Sequence, residues 1–257
     1  MAGDAQPFVI AYAFIVGTVV GSFLNVVIHR VPRGLSIVRP RSSCPACATP
    51  IAWHDNLPIL SWLVLRGRCR RCASAISIRY PMVETAAGVL AGFGVVLYGL
   101  EPVALEVVIF AWVSLALALI DLEHQILPDV ITYPAIVFGL VFSAVGGYTS
   151  FADSVAGALV GAALPSLVIL VYKLMRGIEG MGWGDVKYLA AIGAVVGLRD
   201  CLMVLVVASI LGAVVGGILI ALGRGSGKTA LPFGTFLAAA VILWLYSPLP
   251  WRLAVLP

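Results

Sequence analysis

Long apolar runs broken by short polar stretches dominate this chain, and most are near the length that crosses a bilayer. A spanning helix takes about 20 mostly apolar residues. Eight runs stand out, at roughly 8–28, 82–99, 103–121, 130–147, 154–173, 186–197, 201–222 and 231–247. The sixth, about a dozen residues long, is short for a span and is expected to be re-entrant or partly buried. The pattern predicts an all-α polytopic membrane protein with about eight transmembrane helices. Residues 29–80 interrupt it: they are polar, rich in arginine and proline, and hold four of the five cysteines. The expected organisation is a first transmembrane helix (1–28), a small loop domain (29–80) and a transmembrane core (81–257).

Composition agrees, with 61% hydrophobic and 11% charged residues and a mean hydropathy of +1.08. The first run has only Asp4 before it, no Lys or Arg, and no small-residue cleavage site after it, so it is expected to be a retained helix. Arg30, Arg33, Arg39, Arg41, Arg66, Arg68, Arg70, Arg71 and Arg79 put nine of the sixteen cationic residues in or beside the 29–80 loop. Lys173, Arg176, Lys187, Arg224 and Lys228 fall on that same side, and only Arg199 and Arg252 on the other. The positive-inside rule then puts the loop in the cytoplasm and both termini outside. The formal charge of +4 is therefore a matter of topology and anionic lipid, and nucleic acid is not an expected partner.

Small residues recur four apart at Gly17/Gly21, Gly88/Gly92, Gly157/Gly161 and Gly212/Gly216, a spacing that lets helices approach closely in lipid. Pro128 biases Leu127 away from helical geometry, so 122–129 reads as a connection. Asp121 then ends one helix, and Asp129 begins the next in a capping position.

Cys44-Pro45-Ala46-Cys47 and Cys69-Arg70-Arg71-Cys72 are two Cys-x-x-Cys pairs, 21 residues apart. Four thiolates in two such knuckles suit tetrahedral zinc with no open position, hence a structural metal at Cys44, Cys47, Cys69 and Cys72. A cytoplasmic loop argues against disulfides. Arg68, Arg70 and Arg71 are expected to help keep the thiols deprotonated. Ala48 and Ala73 stand where knuckles often carry glycine, and Cys201 reads as plain packing.

Ionised carboxylates at the edge of hydrocarbon are costly unless something uses them. Asp121 and Asp185 are so placed, and Asp185 follows a glycine-broken stretch, Gly180-Met181-Gly182-Trp183-Gly184. Amide hydrolysis by two aspartates needs one as general base toward water and the other protonated as acid, a division that close approach enforces. Gly182 and Gly184 permit a tight active-site turn or close backbone approach to a substrate. As bland alternatives, Asp185 serves as an N-cap and Lys187 marks the boundary of the membrane. Glu123, His124 and Asp129 form a candidate cation-binding cluster, while Asn25 and Glu84 lie inside spans and need partners. His29, His54 and His124 form no His-x-x-x-His pattern, and no serine sits in a Gly-x-Ser-x-Gly elbow.

Gly182-Trp183-Gly184-Asp185-Val186-Lys187, with Asp121 ahead of Leu127-Pro128-Asp129, resembles the GxGD aspartic membrane proteases. Gly21-Ser22-Phe23-Leu24-Asn25-Val26-Val27-Ile28-His29-Arg30, the two Cys-x-x-Cys pairs, Trp53-His54-Asp55-Asn56-Leu57-Pro58 and Arg79-Tyr80-Pro81 resemble the bacterial type IV prepilin peptidases. The likeness covers most of residues 17–195. It implies an inner-membrane enzyme that removes the basic leader of type IV prepilins or type II secretion pseudopilins after a glycine, at the cytoplasmic face. It also implies methylation of the new N-terminus from S-adenosylmethionine, which the presence of the cytoplasmic loop favours. The resemblance carries catalysis to Asp121 and Asp185 and metal ligation to the four cysteines. Nothing here resembles a Gly-x-Gly-x-x-Gly cradle, so no residue is assigned to the methyl donor. The alternatives are a leader peptidase without methyltransferase activity, a carboxylate-dependent ion-coupled transporter, or a membrane-anchored zinc module.

Overall fold

A computed structural model describes residues 6–177, 181–224 and 231–247; Asp4, Gly180, Lys228 and Arg252 lie outside the described residues. The chain divides into two compact units at Gly99.

The first unit holds α1 (Gln6–Arg30), the short α2 (Leu60–Val64) and α3 (Arg79–Tyr98). α1 and α3 run antiparallel, and two glycines of α1 set their distance. A Cβ on Gly17 would stand 2.6 Å from the Ala87 carbonyl oxygen, and one on Gly21 2.6 Å from Glu84 Cα. Small residues thus let backbone meet backbone, as expected where lipid supplies no hydrophobic drive between helices. Asn25 and Glu84, the two polar residues of these spans expected to need partners, have them. Asn25 Nδ2 donates to the carbonyls of Gly21 (3.3 Å) and Tyr80 (3.2 Å), and Glu84 Oε2 accepts the Ile59 N–H at 2.7 Å. The loop expected at 29–80 thus stands between two helices that pack along each other.

The second unit holds α4 (Pro102–His124), α5 (Asp129–Ala144), α6 (Phe151–Arg176), α7 (Trp183–Ala221) and α8 (Phe233–Tyr246). Among the described residues no strand forms. Five helices, α1, α3, α4, α6 and α7, are long and apolar enough to cross a membrane, and α5 and α8 are shorter apolar helices. The 39 residues of α7 comprise two helices end to end, because Gly197 breaks them at φ +83°, ψ 177°. That backbone region is essentially open to glycine alone. The N–H of Leu198, freed by the break, donates to Asp153 Oδ1 at 3.3 Å, and Thr149 Oγ1 donates to Asp153 Oδ2 at 3.0 Å.

The first half of α7 is the expected sixth run. From Tyr188 to Gly197 every residue is buried, with α5, α6 and α8 packed around the helix. It is therefore a core segment within the unit. On α6, Gly157 lies against the backbone of Gly193, and on α5 a Cβ at Gly139 would come within 2.8 Å of the Ala194 carbonyl carbon. Glu106, fully buried on α4, turns one oxygen to the Tyr148 N–H at 2.6 Å.

Candidate active site

Asp121 lies in the last turn of α4 and is 5% exposed. The helix continues to His124, three residues further than the apolar run suggests, and closes on Gln125 in the left-handed region. The Gln125 N–H donates to the Asp121 carbonyl at 2.8 Å. The chain then turns inward and buries Leu127.

Two other helices begin at this spot. α8 starts after Pro232, whose fixed φ and missing N–H suit a helix start. Thr235, third residue of α8, donates its backbone N–H to Asp121 Oδ2 at 2.8 Å. Its hydroxyl stands 3.2 Å from the same oxygen and 3.0 Å from the Ala118 carbonyl, and the Gly234 N–H also faces the Asp121 carboxyl group. The first N–H groups of a helix have no partner inside it. Here a carboxylate from a distant helix supplies one.

α7 starts at Trp183, with Gly182 in the N-cap position. Asp185 is therefore the third helical residue, a correction to its reading as the cap. Its carboxyl group reaches back to the Gly182 N–H, the half of a capping box that an acid at the third helical position supplies. Gly184 and Lys187 likewise belong to the first turns of this helix, where a tight active-site turn was expected. The Asp121 and Asp185 carboxyl groups, sixty-four positions apart, lie within electrostatic reach of each other. Leu127 explains how α7 and α8 come so near. A Cβ on Gly184 would stand 2.9 Å from Leu127 Cβ, and one on Gly234 2.7 Å from Leu127 Cδ1. Tyr188, on α7, and Ser114, on α4, are both fully buried, and Tyr188 lies within electrostatic reach of Asp121.

Asp129 does not cap α5: Pro128 holds that position and no side chain caps the helix. Asp129 instead pairs with Lys187, whose ammonium also stands 5.4 Å from the centre of the Tyr133 ring. Lys187 is thus an ion-pair partner that ties α7 to α5, not only a marker of the membrane boundary. The proposed Glu123–His124–Asp129 cluster does not assemble; His124 Nε2 is 3.9 Å from Glu123, and Asp129 is turned to Lys187.

In the first unit the two cysteine pairs fold alike. The Cys44 carbonyl accepts the Ala48 N–H and the Cys69 carbonyl the Ala73 N–H, both at 2.9 Å. Ala48 and Ala73 both adopt left-handed backbone, at φ +55° and +57°, which explains why glycine is common at such positions. All four Sγ atoms lie within 4.8 Å of one another, with Cys44 and Cys72 3.8 Å apart. Tetrahedral zinc with bonds of about 2.3 Å needs sulfurs separated by about 3.8 Å, so the four thiols fit such an ion. Among the described residues this is the one group with metal-holding spacing.

Two of the three arginines, Arg70 and Arg71, are turned to partners other than the sulfurs. Arg70 forks onto Asp55, with Nε and a terminal nitrogen 2.6–3.0 Å from its oxygens, and Arg71 donates to Thr49 Oγ1 at 3.1 Å. The Ser74 hydroxyl and knuckle N–H groups instead pull the Cys44 thiol down to about 6, and Ser74 also lowers Cys72. Backbone donors from Cys72 and Arg71 favour the Cys69 thiolate, but burial and the neighbouring sulfurs outweigh them and raise it. Cys201 is buried packing, as expected.

Residues 15–98 match the Bacterial Peptidase A24 N-terminal domain, and residues 108–217 the Type IV leader peptidase family. A prepilin leader peptidase/N-methyltransferase of Stutzerimonas stutzeri is 36% identical, over 95% of this chain and 93% of its own length. The chain belongs to the type IV leader peptidase family. Further family members of the same description, from Aeromonas salmonicida (strain A449) and Pseudomonas aeruginosa, are 39% and 36% identical, over 95% and 90% of this chain and 93% and 88% of their own lengths. No solved structure matches. As a member of this family the protein is an enzyme of the inner membrane, not an ion-coupled transporter or a bare zinc scaffold.

Sequence reasoning missed Thr235, Gly234 and Leu127. The signal for the first two was a Pro-Phe-Gly-Thr start to an apolar run, which marks a helix N-terminus and thus a set of free N–H donors.

Proposed function

We propose that this leader peptidase removes the N-terminal leader of type IV prepilins or pseudopilins with Asp121 and Asp185 as its catalytic pair. The approach of these two carboxyl groups at the starts of α7 and α8 carries the reading. Peptide hydrolysis by such a pair needs one charged and one protonated member. Asp121, facing N–H donors from Gly234 and Thr235, is the one that keeps its charge and takes a proton from the attacking water. Asp185 donates its proton to the scissile carbonyl oxygen; when the tetrahedral intermediate collapses, Asp121 passes the proton it took from water to the leaving amine, and Asp185 recovers its own from the intermediate's hydroxyl. Thr235 and Gly234 position Asp121, Gly184 makes room for Leu127, and Gly182 leaves the start of α7 open to the substrate.

After cleavage the new N-terminal amine accepts a methyl group from S-adenosylmethionine, the donor implied by the relatives' names. Cys44, Cys47, Cys69 and Cys72 would hold a structural zinc ion, which braces a loop too small to bury much core of its own. The arginine distribution supports a cytoplasmic position for that loop, on the side where leaders are cut. Membrane lipid surrounds the spans, and nucleic acid is not a partner.

The test is cleavage of a prepilin by the full enzyme in lipid vesicles. Asp121→Asn and Asp185→Asn proteins are expected to insert normally and leave the leader attached. Full processing by both would overturn the assignment.

A further inference from the structure

The loop of the first unit carries an apolar face that neither the catalytic reading nor the zinc knuckles use. Trp53, Leu57, Leu60, Leu63 and Val64 are 80, 45, 61, 57 and 76% exposed. Leu60, Leu63 and Val64 share one face of α2 by their i, i+3, i+4 spacing, and so much exposed apolar surface within a dozen residues marks an interaction site.

A hydrogen bond to α3 fixes its depth. The Ile59 N–H that donates to Glu84 belongs to a residue at φ +60°, ψ −53°, a strained conformation for a branched side chain. Glu84 is five residues into α3, about 7.5 Å along a helix axis. The Leu57–Leu60 turn therefore lies beside the second turn of a membrane-spanning helix, not beyond its end. At that level α3 itself turns Met82 outward, 62% exposed.

The segment also meets the condition that hydrocarbon imposes on backbone, namely internal hydrogen bonding. Leu57 N–H donates to Ser61 Oγ at 3.0 Å, and the Ser61, Leu63 and Leu65 N–H groups donate to the carbonyls of Leu57, Ile59 and Ser61. Gly67 N–H closes on the Trp62 carbonyl at 2.8 Å. Exposed Arg66 and Arg68 follow at once, a cationic edge next to an apolar face. Leucines with tryptophan on one side and arginines at the rim are the composition of segments that lie in the membrane interface.

We propose that residues 53–64 form a wedge in the headgroup–acyl boundary of an anionic bilayer, with Leu57, Leu60, Leu63 and Val64 toward the acyl chains. Arg66 and Arg68 meet lipid phosphates. The cysteine knuckles, joined to the wedge through Arg70 and Asp55, are thereby kept at the membrane surface.

The experiment places the photoreactive residue p-benzoylphenylalanine at Leu60 or Val64, with Arg41 as an exposed control in the same loop. The full protein is irradiated in vesicles of phosphatidylethanolamine and phosphatidylglycerol, and adducts are identified by mass spectrometry. Prepilin cleavage by each variant first verifies folding. Phospholipid adducts at positions 60 and 64, several-fold above those at 41, are expected. Adducts to another part of this chain, to a second copy, or no excess over position 41 would overturn the wedge. The readout is independent of which residues catalyse cleavage.

Discussion

The N–H of Thr235 meets the carboxylate of Asp121 across 114 residues of chain, at 2.8 Å. A helix N-terminus and an acid at a helix C-terminus thereby satisfy each other, where each would be costly to bury alone. The Thr235 hydroxyl is the part of this contact that mutation removes most cleanly. A hydrogen bond to a charged group is worth about 1.5–3 kcal/mol, so Thr235→Val is expected to slow prepilin cleavage roughly tenfold or more. Thr235→Ser restores the hydroxyl and should restore the rate. Equal loss in both variants would make Thr235 a packing residue only.

Gly234 tests the same corner sterically. A methyl group there would stand 2.7 Å from Leu127 Cδ1 and 3.0 Å from Asp121 Oδ2. Overpacking of this sort costs about 1–3 kcal/mol. Gly234→Ala is expected to lower the thermal midpoint modestly and cleavage severely, because the displaced group is Asp121 itself. Melting curves and turnover measured on one preparation separate the two effects.

The knuckle alanines carry a different expectation. Left-handed backbone costs a non-glycine residue roughly 1–2 kcal/mol, part of which a glycine returns through its looser unfolded chain. Ala48→Gly and Ala73→Gly should each stabilise the loop by about 0.5–1 kcal/mol, on balance of those two effects. Slower metal transfer to a chelator is the measurement, and faster transfer would refute it.

Arg70 gives a pH and salt signature. Its hydrogen bonds hold the Asp55 carboxyl below the ordinary value of 3.8. The stability gained is present above that value, where the carboxyl is ionised in both folded and unfolded chains. It is lost only as pH falls through the lower folded value. The difference between wild type and Arg70→Ala should therefore be small, constant from about pH 5 to 8, and reduced in high salt. Lysine cannot fork onto a carboxylate, so Arg70→Lys should not restore it. Thermal midpoints across that pH range are the check.

Much of this architecture was legible because lipid makes the chain state its spans openly. The break between runs six and seven was visible in Arg199 and Asp200, and the structure puts it at Gly197. The sulfur cluster followed from spacing alone. What the sequence hid were partnerships. Lys187 and Asp129, Arg70 and Asp55, Glu84 and the Ile59 N–H are each a charge whose counterpart lies 15 to 58 positions away. Thr235 escaped notice because one hydroxyl in an apolar run reads as a tolerated polar residue. Only the folded chain reveals that the donor points at an acid.

At Gly157 and Gly193 the backbones of α6 and α7 touch with no side chain between them. No side chain cushions the contact there, so a lateral shift of α6 must displace the helix that carries Asp185 in its first turn. Eight residues from the acid, the cleavage geometry is thus tied to the position of a helix that contributes no reacting group.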